Sequence, residues 1–209
     1  MAIDRAGYPF IGGTAALAIA AALTVGSAGA VPLALLAAFF LFFFRDPDRR
    51  SPQDSALVLS PADGRVLVAG PADPSAAPPG QWQQISIFLS PMDVHVNRAP
   101  VSGRVTKVDF RKGKFLPAYH RDAAAANERS EVWVDHGGLT VVFRQIVGIL
   151  ARRVVCRVQP GAELKAGERF GIMKFGSRMD VFLPPAAELK VHVGETVVGG
   201  VTVIATLKI

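Results

Sequence analysis

The chain has 209 residues, half of them hydrophobic, and a net charge of +6. That length allows one domain and a little more, and the single cysteine, Cys156, excludes an intrachain disulfide framework. The positive balance calls for an acidic partner; beside a hydrophobic N-terminus, an anionic membrane surface is the better reading and nucleic acid is not expected.

No charged residue occurs between Ala6 and Phe44. A single helix over that stretch would run about 58 Å, against a hydrocarbon core of about 30 Å. The apolar core of a signal peptide is shorter, about 7–15 residues. Gly26-Ser27-Ala28-Gly29, with Pro32 shortly after, offers a break. The pattern therefore predicts a helical hairpin, spanning or re-entrant, as a membrane anchor over residues 1–45; one spanning helix with a loose flank is the alternative. Arg5 precedes the stretch, and Arg45, Arg49 and Arg50 follow it. The positive-inside preference puts both ends on the cytoplasmic side of a cell membrane, with the arginines against anionic headgroups.

Residues 46–209 read as a β-rich domain. Short apolar runs at 57–59, 65–68, 84–88, 104–110, 131–134, 139–146 and 151–158 are predicted strands, and 120–129, with its alanine run, is a short helix or a loop. Four prolines among small residues make 71–80 a surface loop. The fold class is mainly β, a compact antiparallel sandwich or barrel-like domain behind the hydrophobic hairpin. Two internal echoes point to a duplicated β-unit. Ala62-Asp63-Gly64-Arg65-Val66 resembles Val101-Ser102-Gly103-Arg104-Val105, and Ala166-Gly167-Glu168 resembles Val193-Gly194-Glu195.

Several segments carry chemistry. Ser60-Pro61-Ala62-Asp63-Gly64 is a turn with a carboxylate at its corner. The run from Phe88 to Pro100 leads an apolar strand into a Ser-Pro turn and then presents Asp93, His95 and Arg98. A histidine near neutral pKa suits proton transfer, and in an extended chain Asp93 and His95 share a face. Asn127-Glu128-Arg129 reads as a solvated loop, and Cys156, in an apolar run, as a buried small hydrophobe. His120, His136 and His192 show no metal-ligand spacing, so no metal site is predicted.

The segment from Gly171 to Asp180 is the most informative. A serine hydroxyl beside a glycyl carbonyl, as at Gly176-Ser177, can attack that carbonyl in an N-to-O acyl shift, and glycine tolerates the strained backbone this needs. Elimination from the ester and hydrolysis of the resulting dehydroalanine leave a pyruvoyl group and ammonia. Gly-Ser alone is equally a common turn. A rival reading takes Lys174 as the modified lysine of a biotinyl- or lipoyl-like carrier domain, with Ser177 idle.

Taken together, Phe43-Phe44-Arg45-Asp46-Pro47, the Ser60–Gly64 turn, the Phe88–Pro100 run, Asn127-Glu128-Arg129 and Phe175-Gly176-Ser177-Arg178 resemble, in order, the phosphatidylserine decarboxylase family in its short bacterial and archaeal form. The resemblance implies a proenzyme that splits into a β subunit, 1–176, and an α subunit, 177–209, which stay together as a heterodimer; a higher homo-oligomer is left open. It implies a covalent pyruvoyl cofactor made from Ser177, which forms a Schiff base with the amine of phosphatidylserine in the membrane and takes up the electrons released with CO2, giving phosphatidylethanolamine in phospholipid biosynthesis. Asp63 and His95 are the implied site residues, with His95, oriented by Asp63, taking the Ser177 hydroxyl proton. Arg98 stands where longer members carry a second histidine, and Arg178 stands where they carry threonine. Substrate-binding residues are not assigned. Arg111, Lys112, Lys114, Arg152 and Arg153 are candidates for attracting the anionic headgroup.

Overall fold

A computed structural model describes residues 2–149 and 154–208. The chain divides into two compact units, Met1–Asp48 and Arg49–Ile209.

In the first unit, β1 (Ala2–Ile3) pairs antiparallel with β2 (Arg45–Asp46), which brings the two ends of the hydrophobic stretch side by side. Between them lie α1 (Tyr8–Thr24) and α2 (Ser27–Phe43), packed against each other. The turn falls at Gly26, whose φ of 78° is a conformation that glycine adopts without a side-chain penalty. At the closed end, Asp4 caps the short 3-10 turn Arg5–Gly7 by accepting the Ala6 N–H at 2.9 Å, and its own N–H donates to the Phe44 carbonyl. The Phe10 ring stacks on Phe44 at 5.4 Å. Leu17, Ile19, Leu23, Leu35 and Leu41 point outward, which in water would leave a large apolar surface exposed. By length and composition the first helix, from Arg5 to Thr24, can cross a membrane, while the 17-residue second helix falls short of that length. The expected hairpin is present.

In the second unit, β3 (Leu57–Leu59), β4 (Gly64–Pro71) and β5 (Gln83–Leu89) are followed by β6 (Val96–Arg98) and β7 (Gly103–Arg111). A one-turn helix, α3 (Ala123–Ala126), precedes β8 (Arg129–His136) and β9 (Leu139–Val147). Then come β10 (Val154–Cys156), β11 (Glu163–Leu164) and β12 (Arg169–Met173). The chain closes with β13 (Ser177–Leu183), β14 (Glu188–Leu189), β15 (Thr196–Val197) and β16 (Val203–Thr206). All pairings between these strands are antiparallel. They form a curled eight-stranded half-barrel in the order β11-β7-β8-β9-β13-β5-β4-β15, flanked by the three-stranded sheets β10-β12-β6 and β14-β16-β3. The predicted strands fall inside these elements, except that of 151–158 the first three residues lie outside the described region and Arg157 and Val158 lie past the end of β10. Of 120–129 only α3 is helical. Cys156 is half-buried rather than buried, and burial raises its thiol above the ordinary value.

The strand order has a pseudo-twofold axis between β9 and β13. Strands β6 to β12 in chain order correspond one for one to β3, β4, β5, β13, β14, β15 and β16. Gly64 and Gly103 occupy the same place in the two halves. Each has a strongly positive φ, and a Cβ on either would collide with a carbonyl of the neighbouring strand, that of Phe88 or of Asp135. That shared steric demand explains the first sequence echo. The second echo is out of register. Gly161 corresponds to Gly194, their N–H groups donating to the Val105 and Val66 carbonyls, and Gly167 corresponds to Gly200, donating to those of Ala99 and Ser60.

One half is thus continuous in sequence and inserted into a hairpin of the other, between β5 and β13. The matching connection in the inserted half is the tight Gly137-Gly138 turn between β8 and β9. Register carries His136↔Leu139 onto Leu89↔Ser177. Ser177 therefore begins a strand directly after the insertion, where its counterpart follows a two-glycine turn.

The inner face of the half-barrel packs Ile85, Val132, Phe143, Met179 and Val181 against Val58, Phe170 and Ile204 of the smaller sheets. Each such fully buried side chain stabilises the fold by roughly 1.5–3 kcal/mol. The outer face is polar yet largely covered, because residues 72–82 fold back over it and the Ala76 carbonyl accepts a hydrogen bond from Arg144.

Candidate active site

Between β12 and β13 the chain turns through Phe175 (φ 57°) and Gly176 (φ 75°). Among the described residues Phe175 is the only non-glycine with positive φ, a placement that costs about 1–3 kcal/mol and puts backbone strain at the residue before Gly176. The Gly176 carbonyl lies so close to Gly148 that a Cβ there would overlap it. Ser177 is fully buried, held between Leu89 of β5 and Val147 of β9. Its hydroxyl has no hydrogen-bond partner among the described residues. A buried orphan hydroxyl costs about 1–3 kcal/mol, so strained backbone at Phe175 and an unsatisfied hydroxyl at Ser177 flank Gly176. Alongside opens an apolar cleft of about 360 Å³, walled by Phe88, Pro91, Pro117, Tyr119, Ile149 and Gly176.

His95 lies at this bond. Its Nδ1 is 2.9 Å from the Asp93 carbonyl, which can only accept, so Nδ1 carries the proton. Nε2 is then the basic nitrogen, and it accepts the Gly176 N–H at 3.4 Å. The local sequence builds this arrangement. The Asp93 side chain closes the Ser90-Pro91 turn by accepting the Ser90 N–H at 2.8 Å, which leaves its backbone carbonyl facing the imidazole. His95 is fully buried, and its own carbonyl accepts the Met173 N–H, so the imidazole and the segment leading to Gly176 are tied to the same strand pair.

Asp63 is not brought to His95. Its carboxylate pairs with both terminal nitrogens of Arg49, at 2.5 and 2.7 Å, and accepts the Gly199 N–H at 2.8 Å. Arg49 is therefore engaged with Asp63 rather than displayed for headgroups. Asp63 acts on the site only through its turn, in which the Pro61 carbonyl accepts the Arg98 N–H at 2.8 Å and so anchors the strand that follows His95. Arg98 is buried, with its guanidinium donating to the Gly167 carbonyl. Lys174, the alternative attachment site, is half-buried in the segment before Gly176.

Sequence reasoning missed three supports. Asn127 is fully buried rather than solvated. It donates to the Val147 carbonyl, opposite Ser177, and exchanges hydrogen bonds with both backbone groups of Leu116, fixing one wall of the cleft. Gln145 links Ser130 to Asn97 across the inner face. Arg178 donates to Asp180 at 2.6 Å and to Ser86 at 2.8 Å, and Gln84 supports the same pair. Lys112 and Lys114 are exposed, and Arg152 and Arg153 lie outside the described residues. The other histidines make local contacts: His136 bridges the Ser102 and Ser55 carbonyls, and His192 meets Glu195.

A serine hydroxyl beside a glycyl carbonyl, with a histidine of defined tautomer at the same glycine, has the composition that an internal acyl transfer needs. The family profile described as phosphatidylserine decarboxylase matches residues 36–205. A phosphatidylserine decarboxylase proenzyme of Trichlorobacter lovleyi is 44% identical, covering 98% of this chain and 96% of that protein. Proenzymes of the same name from Solibacter usitatus and Symbiobacterium thermophilum are 45% and 44% identical, over 91% and 98% of the chain and 91% and 95% of their own lengths. The chain belongs to the phosphatidylserine decarboxylase family of lyases.

Proposed function

We propose that the chain cuts itself between Gly176 and Ser177, converts Ser177 into a pyruvoyl group, and decarboxylates phosphatidylserine to phosphatidylethanolamine at a membrane surface. The observation that carries this reading is the buried Ser177 hydroxyl, unpartnered among the described residues, directly after a left-handed Phe175-Gly176 turn whose Gly176 N–H donates to His95 Nε2.

In the maturation step His95 Nε2 takes the Ser177 hydroxyl proton as Oγ attacks the Gly176 carbonyl carbon. The peptide C–N bond breaks, an ester forms, and the proton passes to the freed Ser177 nitrogen. Removal of the Ser177 Cα proton then expels Gly176 as a carboxylate and leaves dehydroalanine, which tautomerises and takes up water to give the ketone and ammonia. No oxidant is needed. Asp63 is a positioning residue in this scheme, holding the Ser60–Gly64 turn. The site suits the group it would make, because the apolar cleft opens at Phe175 and Gly176, immediately before residue 177. The pyruvoyl group supplies an electrophilic carbonyl and an electron sink for the leaving CO2. His95 is placed to return a proton to the substrate carbon, and the apolar walls keep bulk water away.

After cleavage β13 stays hydrogen-bonded between β5 and β9, both of the 1–176 fragment, which supports a lasting heterodimer of 1–176 and 177–209. The hairpin over 1–45 serves as the anchor. Arg5 and Arg45 at its closed end favour a cytoplasmic catalytic domain on the inner face of the cell membrane. Exposed apolar residues near the cleft, among them Tyr119 and Ile149, suit a substrate that stays in the bilayer.

The test is CO2 release from carboxyl-labelled phosphatidylserine vesicles by the purified protein. Release that is abolished by prior treatment with hydroxylamine, a carbonyl reagent, is the expected result. A fully cut protein that releases no label would show that the substrate is another amine-bearing acid.

A further inference from the structure

Residues on the outer face of the half-barrel fall into rows set by the strand registers. One row reads Phe88, Arg178, Ile146, Arg129, Arg111, and the next Ser86, Asp180, Arg144, Glu131, Asp109. Three of these arginines have an acid beside them. Arg178 bonds Asp180, Arg144 bonds Glu131, and Arg111 meets Asp109 at 3.2 Å. Arg129 makes no ion pair among the described residues. Its guanidinium donates once, to the Ala125 carbonyl at 2.8 Å, and its Nε is buried without a partner. Yet Arg129 is only 9% exposed.

Burying a cation without its counter-charge is costly, since desolvation is not repaid by an attraction. Burial pushes the Arg129 guanidinium below its ordinary pKa, and the nearby Arg144 and Arg111 push it the same way, against the smaller opposing pull of Glu131 and Asp109, which are not paired with it. The three arginines and Glu131 line a cavity of about 390 Å³, roofed by the loop of residues 74–80. Guanidinium forks match the paired oxygens of a phosphate.

We propose that this cavity is a binding site for a phosphate-bearing anion, held by Arg129 with Arg111 and Arg144. It is separate from the reacting bond. Arg129 lies two strands from Arg178, roughly 10 Å at the usual strand spacing, and on the opposite face of the sheet from Ser177. The phosphate of a lipid undergoing reaction at Ser177 lies only a few bonds from the reacting carbon and does not reach it. The occupant is therefore a second molecule, either free phosphate or the headgroup of another anionic lipid.

Thermal unfolding of the purified full chain in detergent, at constant ionic strength, tests this. Millimolar inorganic phosphate in place of chloride is expected to raise the wild-type midpoint by a few degrees, because a ligand that binds only the folded state stabilises it. Arg129→Met is expected to lose that rise while unfolding in chloride no earlier than wild type, since it removes a buried unpaired charge. Arg111→Gln, at an exposed position, is expected to weaken the rise without harming the fold. A rise with soluble dihexanoyl phosphatidic acid but not with inorganic phosphate would assign the site to a lipid headgroup; a rise with both would show that phosphate suffices. No rise with either, or an equal rise in Arg129→Met, would overturn the proposal.

Discussion

Replacing His95 with asparagine is expected to leave nearly all of the chain uncut when it is purified. Asparagine is the informative choice because its amide nitrogen can take the place of Nδ1 and keep donating to the Asp93 carbonyl. The basic nitrogen, Nε2, is lost. A positioned general base contributes about 10²–10⁴ in rate, so maturation that is complete in the wild type during expression should slow by that factor. The measurement is the fraction of intact chain against time after synthesis, read on a denaturing gel. Because His95 is fully buried, no added imidazole should rescue the variant. Cleavage at the wild-type rate would mean that another group takes the Ser177 proton, and the role given to His95 would fall.

The second large effect is on stability. Arg178→Met should destabilise the second unit by about 3–5 kcal/mol, the usual cost of stranding one member of a buried pair. Arg178 and Asp180 have side chains only 5% and 0% exposed, and they lie on the strand that begins with Ser177. Without the arginine, Asp180 keeps only the Gln84 amide, at 3.3 Å. For a domain whose net stability is of order 5–15 kcal/mol, that is a large fraction. The comparison belongs in a Ser177→Ala background, where a single chain unfolds and a two-state treatment holds. A urea midpoint lowered at unchanged slope is the expected result, with most of the loss recovered in Arg178→Met/Asp180→Leu. A loss below about 1 kcal/mol would mean that the pair is effectively solvated.

What could be read from the sequence divides along physical lines. The hairpin was legible because chain length, a glycine break and flanking arginines each constrain it independently. The central strands were legible from apolar runs, but β13 was not among the predicted strands. It is buried on both faces, so its side chains do not alternate, and its charged residues Arg178 and Asp180 hide on a covered outer face. The Gly64 and Gly103 echo was legible because a steric demand fixes glycine at both places. The Gly167 and Gly194 echo misled because both glycines have positive φ, of 80° and 95°, at turns that are not equivalent.

At the site, Ser177 and His95 stood out from side-chain chemistry, and in the structure His95 Nε2 meets the N–H of Gly176, the residue before Ser177. The partner of Asp63 was not, since nothing in a linear reading joins Arg49 to a turn beyond it. The carbonyl that fixes the His95 tautomer is a backbone group and leaves no trace in residue types. Asn127 looked like a loop residue because its work is done by a side-chain amide on the backbone of two distant segments, and only the fold brings these together.

The intact mass of the purified protein, wild type beside Ser177→Ala, tests the central claim most directly. The account predicts two wild-type fragments, one ending at Gly176 and one beginning at residue 177 and lighter than its encoded sequence by one ammonia, with the Ser177→Ala chain whole. A wild-type chain that stays whole, or a fragment from residue 177 that retains its serine amine, would contradict it.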